Sequence, residues 1–179
     1  MRSDSIGIIV LLIFFFAKTH AQNFVYPAIK HFGAVAEVPF AVDKPDPTLD
    51  YKLVVEMKMK NENPAEIYNP LEHAARMYNL HVYGGVPQKN LHVAVVIFAF
   101  PIDIIMNNDA YKKKHGVDNP NIKIIHEMKE AGIDIYACGQ SIQNFGIDPA
   151  TINPDVTVAL SRFTTVSKLQ MKGYAYFSY

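Results

Sequence analysis

The chain has 179 residues, half of them hydrophobic, with 17 basic and 17 acidic side chains and a formal net charge of zero. A neutral chain with a single cysteine excludes a basic nucleic-acid binder, a protein held on anionic membranes by charge, and a fold stapled by internal disulfides. The length supports one domain with a substantial hydrophobic core.

In chain order, Met1-Arg2, the apolar run Ile6 to Ala17 and the small residue Ala21 read as a secretory signal cleaved before Gln22. The run is shorter than the roughly 20 residues that a membrane-spanning helix needs, and an uncleaved anchor is the alternative reading. No cysteine follows it closely, which excludes a lipoprotein anchor. The expected location is periplasmic or secreted, with no membrane contact after cleavage. Residues 22–50 carry Pro27, Pro39, Pro45 and Pro47 and no sustained periodicity, so they read as an extended arm laid over a domain at 51–179.

From Tyr51 the pattern alternates: Tyr51, Leu53, Val55, Met57 and Met59 share one face, and Lys52, Val54, Glu56, Lys58 and Lys60 share a largely wet one. The methionines are expected in the core rather than on copper. Asn69-Pro70 predicts an N-cap followed by an amphipathic helix that stops at Gly84-Gly85. His73 and His81 on it are too far apart for one metal ion, no HExxH motif occurs, and neither a metal nor a cofactor is expected.

Leu91 to Phe100 is nearly all apolar and β-branched, as in the centre of a parallel sheet buried on both faces. The polar stretch 107–119 after it reads as a loop that offers Tyr111 and His115 to a ligand. The Lys112-Lys113-Lys114 run within it is expected to be solvated. Asn119-Pro120 opens a helix that puts Ile122, Ile125 and Met128 inward and ends at Gly132. The strand Ile133 to Cys138 follows, then a turn at Gly139 and a short helix with Ser141 as its N-cap. Val156 to Leu160 is another strand, Phe163, Val166 and Leu169 form a last helical face, and 174–179 closes the chain as a strand.

Alternating strands and helices place helices on both faces of a mainly parallel sheet. The glycine-rich phosphate loops and the GxSxG elbow are absent, which argues against dinucleotide binding, P-loop chemistry and a serine hydrolase. The chemistry therefore centres on Cys138, where the carboxyl end of a strand meets a helix N-terminus, a place that favours a thiolate. The competing reading is that Cys138 is an inert, buried small hydrophobe.

Several segments in this order resemble the DsrE/DsrF-like (YchN-like) family, specifically its exported members. They are the Asp46-Pro47 linker, the Asn69-Pro70 helix ending in Gly84-Gly85-Val86-Pro87, the strand Leu91 to Phe100, the Asn119-Pro120 helix ending in Glu130-Ala131-Gly132, Ile135-Tyr136-Ala137-Cys138-Gly139-Gln140-Ser141, and Leu169-Gln170-Met171-Lys172-Gly173-Tyr174. The resemblance implies a three-layer α/β/α sandwich with a mainly parallel sheet of about five strands. It also implies homo-oligomers, trimers or hexamers, and a cysteine that carries a persulfide in sulfur relay, with a sulfur donor or acceptor protein as partner. Cys138 matches that cysteine. Gly139, Gln140 and Ser141 are then expected to stabilise the anion through backbone N–H groups, with Asn144, Tyr111 and His115 as further ligand contacts. Many exported relatives carry His-Gly where this chain has Ala99-Phe100, so no imidazole is expected beside the thiol. The alternative function is a non-catalytic oligomeric binding or scaffold protein.

Overall fold

A computed structural model describes residues 23–179; the expected signal segment lies outside the described residues. The core is a five-stranded parallel sheet built from β3 (Tyr51–Met57), β4 (Leu91–Ile97), β5 (Asp134–Cys138), β6 (Thr157–Ala159) and β7 (Ala175–Ser178). Its order is β6-β5-β4-β3-β7, which puts β4 at the centre, as the continuous apolar run Leu91 to Ile97 requires. Helices cover both faces, giving a three-layer α/β/α fold.

The two faces are unequal. On one side α1 (Asn69–Tyr83), α2 (Asn108–His115) and α3 (Ile122–Glu130) pack over Leu53, Val55, Val93, Val95 and Ile135 to form the main core. On the other, α5 (Arg162–Met171) alone covers Val54, Ala94 and Val96 through Val166 and Leu169. Each such fully buried aliphatic side chain is worth about 1.5–3 kcal/mol. The short helix α4 (Gly139–Asn144) continues directly from β5.

Four local expectations change. The second face of β3 is wet only at its ends: α5 folds back over it and β7 pairs alongside, so Val54 and Glu56 are buried, while Lys52 is half-buried and Lys58 and Lys60 are exposed. Met59 lies beyond the strand and is exposed, unlike Met57. The polar stretch 107–119 forms α2, which Asn107 caps by accepting the Ala110 N–H, and which turns Tyr111 inward. At α1 the cap position falls on Tyr68 rather than Asn69; the Tyr68 N–H is satisfied from afar by the Asn121 side chain at 2.8 Å.

The arm is tied to the domain. Its strands β1 (Phe24–Val25) and β2 (Val35–Ala36) form a small antiparallel hairpin. Ile29 and Phe32 enter the main core, and the buried Asn79 of α1 accepts from the N–H groups of Ala28 and Ile29. The Asn79 amide also donates to the carbonyls of Ile29, Phe32 and Gly33. One side chain thus satisfies a turn that would otherwise hide its backbone groups from water. Among the described residues no helix is long and apolar enough to cross a membrane.

Candidate functional site

β5 delivers Cys138 to the carboxyl edge of the sheet, and the next residue already belongs to α4. Cys138 itself is the N-cap (φ −71°, ψ 113°), a role that the sequence assigns to Ser141. The junction is tight because β6 pairs with β5 up to Cys138, so the chain leaving β6 passes directly over Gly139. A Cβ on Gly139 would lie 2.7 Å from the Ala159 carbonyl oxygen and 3.2 Å from that of Leu160. Glycine is needed for close approach rather than for an unusual φ.

Cys138 is 3 % exposed. Its Sγ accepts a hydrogen bond from the Arg162 backbone N–H at 3.3 Å, at the start of α5. Burial pushes the thiol up, but the N–H groups of Arg162, Ser141 and Gln140, with the Ser141 hydroxyl, outweigh it and hold the thiol below its ordinary value. Ser141 also accepts the Ala99 N–H on its Oγ at 3.0 Å, joining the end of β4 to α4. Ala99 is held there at φ 57°, in the left-handed region.

Residues that the sequence did not single out complete this end of the sheet. Glu56 of β3, 4 % exposed, accepts Arg162 Nη1 on both carboxylate oxygens, at 3.0 and 3.2 Å. Tyr176 of β7 donates its hydroxyl to Glu56 Oε2 at 2.7 Å, and this bond, then burial, pushes the phenol up. The Arg162 guanidinium lies between the rings of Phe98 and Phe163, 4.2 and 4.1 Å from their centroids, an arrangement that adds cation–π attraction to the ion pair. A cleft of about 330 Å³ opens beside them, lined by Glu56, Arg162, Phe163, Val166 and Tyr176. The local signal was a lone carboxylate in the otherwise apolar Val54-Val55-Glu56-Met57 run.

The other sequence candidates divide. Gly139, Gln140 and Ser141 surround Cys138; the Gln140 amide donates to the Leu160 carbonyl at 3.4 Å. Asn144 is exposed at the far end of α4. Tyr111 is buried in the main core on the opposite face, with its hydroxyl donating to the Pro64 carbonyl and its phenol pushed up to about 12 by burial and by Asp103. His115 pairs with Asp103 at 2.8 Å and packs on Tyr111. Cys138 shares the strand face of Tyr136, which packs toward α5, so Tyr111 and His115 do not converge on the thiol. Among the described residues no cluster of three His, Cys, Asp or Glu could hold a metal ion.

A three-layer parallel α/β domain with one cysteine between a strand end and a helix start defines the class. The model of the DsrE/DsrF-like family matches residues 51–179, and the chain belongs to that family, which is generally associated with sulfur relay. The match begins at the first residue of β3, so the hairpin arm lies outside it. Among solved structures, a protein of unknown function from Methanobacterium thermoautotrophicum is similar with a TM-score of 0.54 and 18 % identity, over 73 % of this chain and 100 % of that one; the likeness is one of fold. No curated protein matches the chain.

Proposed function

We propose that this protein is a small exported sulfur carrier or sulfurtransferase in which Cys138 holds a persulfide. The observation that carries the reading is the cluster of N–H groups at Sγ, the Arg162 bond at 3.3 Å foremost, which depresses the thiol against its own burial. The thiolate attacks the outer sulfur of a persulfide or polysulfide. A new S–S bond forms as the donor's S–S bond breaks, and the donor leaves as a thiolate with that electron pair. An acceptor thiolate then takes the outer sulfur by the same exchange and restores the Cys138 thiolate, so no external oxidant or reductant is consumed.

Gly139, Gln140 and Ser141 stabilise the anion in both states through the start of α4. With Ala99-Phe100 at the end of β4, proton handling falls to the depressed thiol itself rather than to an imidazole. The partner is a donor or acceptor protein bearing a reactive thiol. The protein acts as a homo-oligomer, a trimer or hexamer, in the periplasm or outside the cell, after cleavage before Gln22; the N-terminal sequence of the secreted product tests that site.

The near-complete burial of Cys138 favours a second reading, a non-catalytic oligomeric binding or scaffold protein in which the thiol only packs. Alkylation of the folded protein with iodoacetamide against pH, with Cys138→Ser as the blank, separates the two. The carrier labels near neutral pH and gains the mass of one sulfur atom after incubation with polysulfide. A thiol that labels only after denaturation overturns the carrier.

A further inference from the structure

Arg162 meets Cys138 with its backbone and Glu56 with its side chain. Its N–H donates to Sγ at 3.3 Å and leads the donors that hold the thiol down, and it belongs to the first residue of α5, where a helix end frays most easily. What fixes that residue is its guanidinium, held by both oxygens of Glu56 and stacked between Phe98 and Phe163. Glu56 in turn lies on a strand paired on both sides, with β4 and β7, and its carboxylate is steadied by Tyr176. A carboxylate this buried needs its partner, so the pair locks as a unit: removing one member leaves a charge without compensation.

We propose that Glu56 is a positioning residue for Cys138. Through Arg162 it pins the start of α5 so that one N–H stays directed at the sulfur, and the persulfide-bearing group is thereby tied to β3, an interior strand of the sheet. The inference rests on the reading that Cys138 is the reacting group. The arrangement also explains why a glutamate is buried on the face of β3 where Val54 packs against Val166.

The sign of the effect separates positioning from simple electrostatics. Besides Cys138, the charged and titratable groups on this face include Glu56 and Lys52 of β3, Asp134 and Tyr136 of β5, Arg162 and Lys168 of α5, Tyr176 of β7, and Tyr174 just before it. Taking the negative charge off Glu56 leaves Arg162 uncompensated, and through space that change stabilises the thiolate and lowers the thiol midpoint. Loss of positioning does the reverse, because the Arg162 N–H drifts from Sγ.

The test is an ultraviolet titration of the Cys138 thiolate in the full-length folded protein, with Cys138→Ser versions of each variant as blanks. It reads the midpoint even where alkylation is slow. In Glu56→Gln the thiolate fraction near neutral pH falls about tenfold, one pH unit of midpoint. In Tyr176→Phe, which removes only one support of Glu56 and spares the ion pair, it falls less but in the same direction. Glu72→Gln weakens a contact elsewhere, the bond from the Gly33 N–H at 2.7 Å, and leaves the midpoint where it was. Midpoints that stay put or drop in both site variants, or a Glu72→Gln midpoint that rises as far as theirs, overturn the positioning role. A wild-type thiol that titrates above the free cysteine value overturns the carrier reading and this inference together; a depressed wild-type thiol with unmoved variants overturns this inference alone.

Discussion

The Ala99 N–H donates to Ser141 Oγ at 3.0 Å while Ala99 itself sits at φ 57°, so the bond that joins the end of β4 to α4 is made by a residue in a conformation that suits glycine. The left-handed region costs a non-glycine residue about 1–2 kcal/mol, and glycine loses about 0.5–1 kcal/mol of that advantage through the entropy of the unfolded chain. Ala99→Gly is therefore expected to stabilise the protein by about 0.5 kcal/mol, read as a higher denaturant midpoint with an unchanged slope. A lower midpoint would show that the methyl group contributes packing that outweighs the backbone cost.

Gly139→Ala is expected to be costly for a different reason. Its Cβ would meet two backbone carbonyls, those of Ala159 and Leu160, and neither can rotate away as a side chain would. Overpacking of this kind costs about 1–3 kcal/mol. Because relief requires the β6–α5 connection to move, the variant should also slow alkylation of Cys138 at neutral pH. Stability lost with labelling unchanged would place the adjustment elsewhere.

Asn79→Asp tests how the arm is held. The two side chains have nearly the same shape, but a carboxylate cannot donate, so it would face the carbonyls of Ile29, Phe32 and Gly33 with no hydrogen to offer. Leaving such groups unsatisfied costs about 1–3 kcal/mol, and repulsion adds to it, so a loss of about 3 kcal/mol is expected, roughly a 10 °C drop in melting temperature. Limited proteolysis should then cut within residues 23–50 before the domain unfolds. An arm as resistant as the wild type would show that Ile29 and Phe32 hold it unaided.

Self-association is the fourth expectation. Val42 is fully exposed, Phe40 nearly so, and Leu160, Phe163 and Met171 are open to solvent as well. Exposed large apolar side chains in such numbers motivate the expectation that copies of the chain bury part of this surface against one another. Sedimentation of the protein from Gln22 onward should show a trimer or hexamer at micromolar concentration, dispersed by charged substitutions at the exposed apolar positions. A monomer under those conditions rejects the expectation.

The sequence alone determined what local pattern can encode. The strand run Leu91 to Ile97 was readable as the sheet centre because a strand buried on both faces must be apolar throughout, and the strand Ile133 to Cys138 with Gly139 after it placed the cysteine at a strand end. Tertiary structure decided which faces met which neighbours. The period-two reading of β3 separated its two faces correctly but could not see α5 returning over the second one or β7 pairing beside it, and so it left Glu56 in water. Residues 107–119 looked like a loop because only Tyr111 of α2 needed to be apolar, a helix face too narrow to show a period. Arg162 gave no signal at all: its partners Cys138 and Glu56 lie 24 and 106 positions away in the chain, and Tyr176 reaches Glu56 across 120. Local sequence carries the spacing within one strand or helix, whereas the environment of the thiol is made where all five strands of the sheet and the starts of α4 and α5 come together, and only folding brings those into contact.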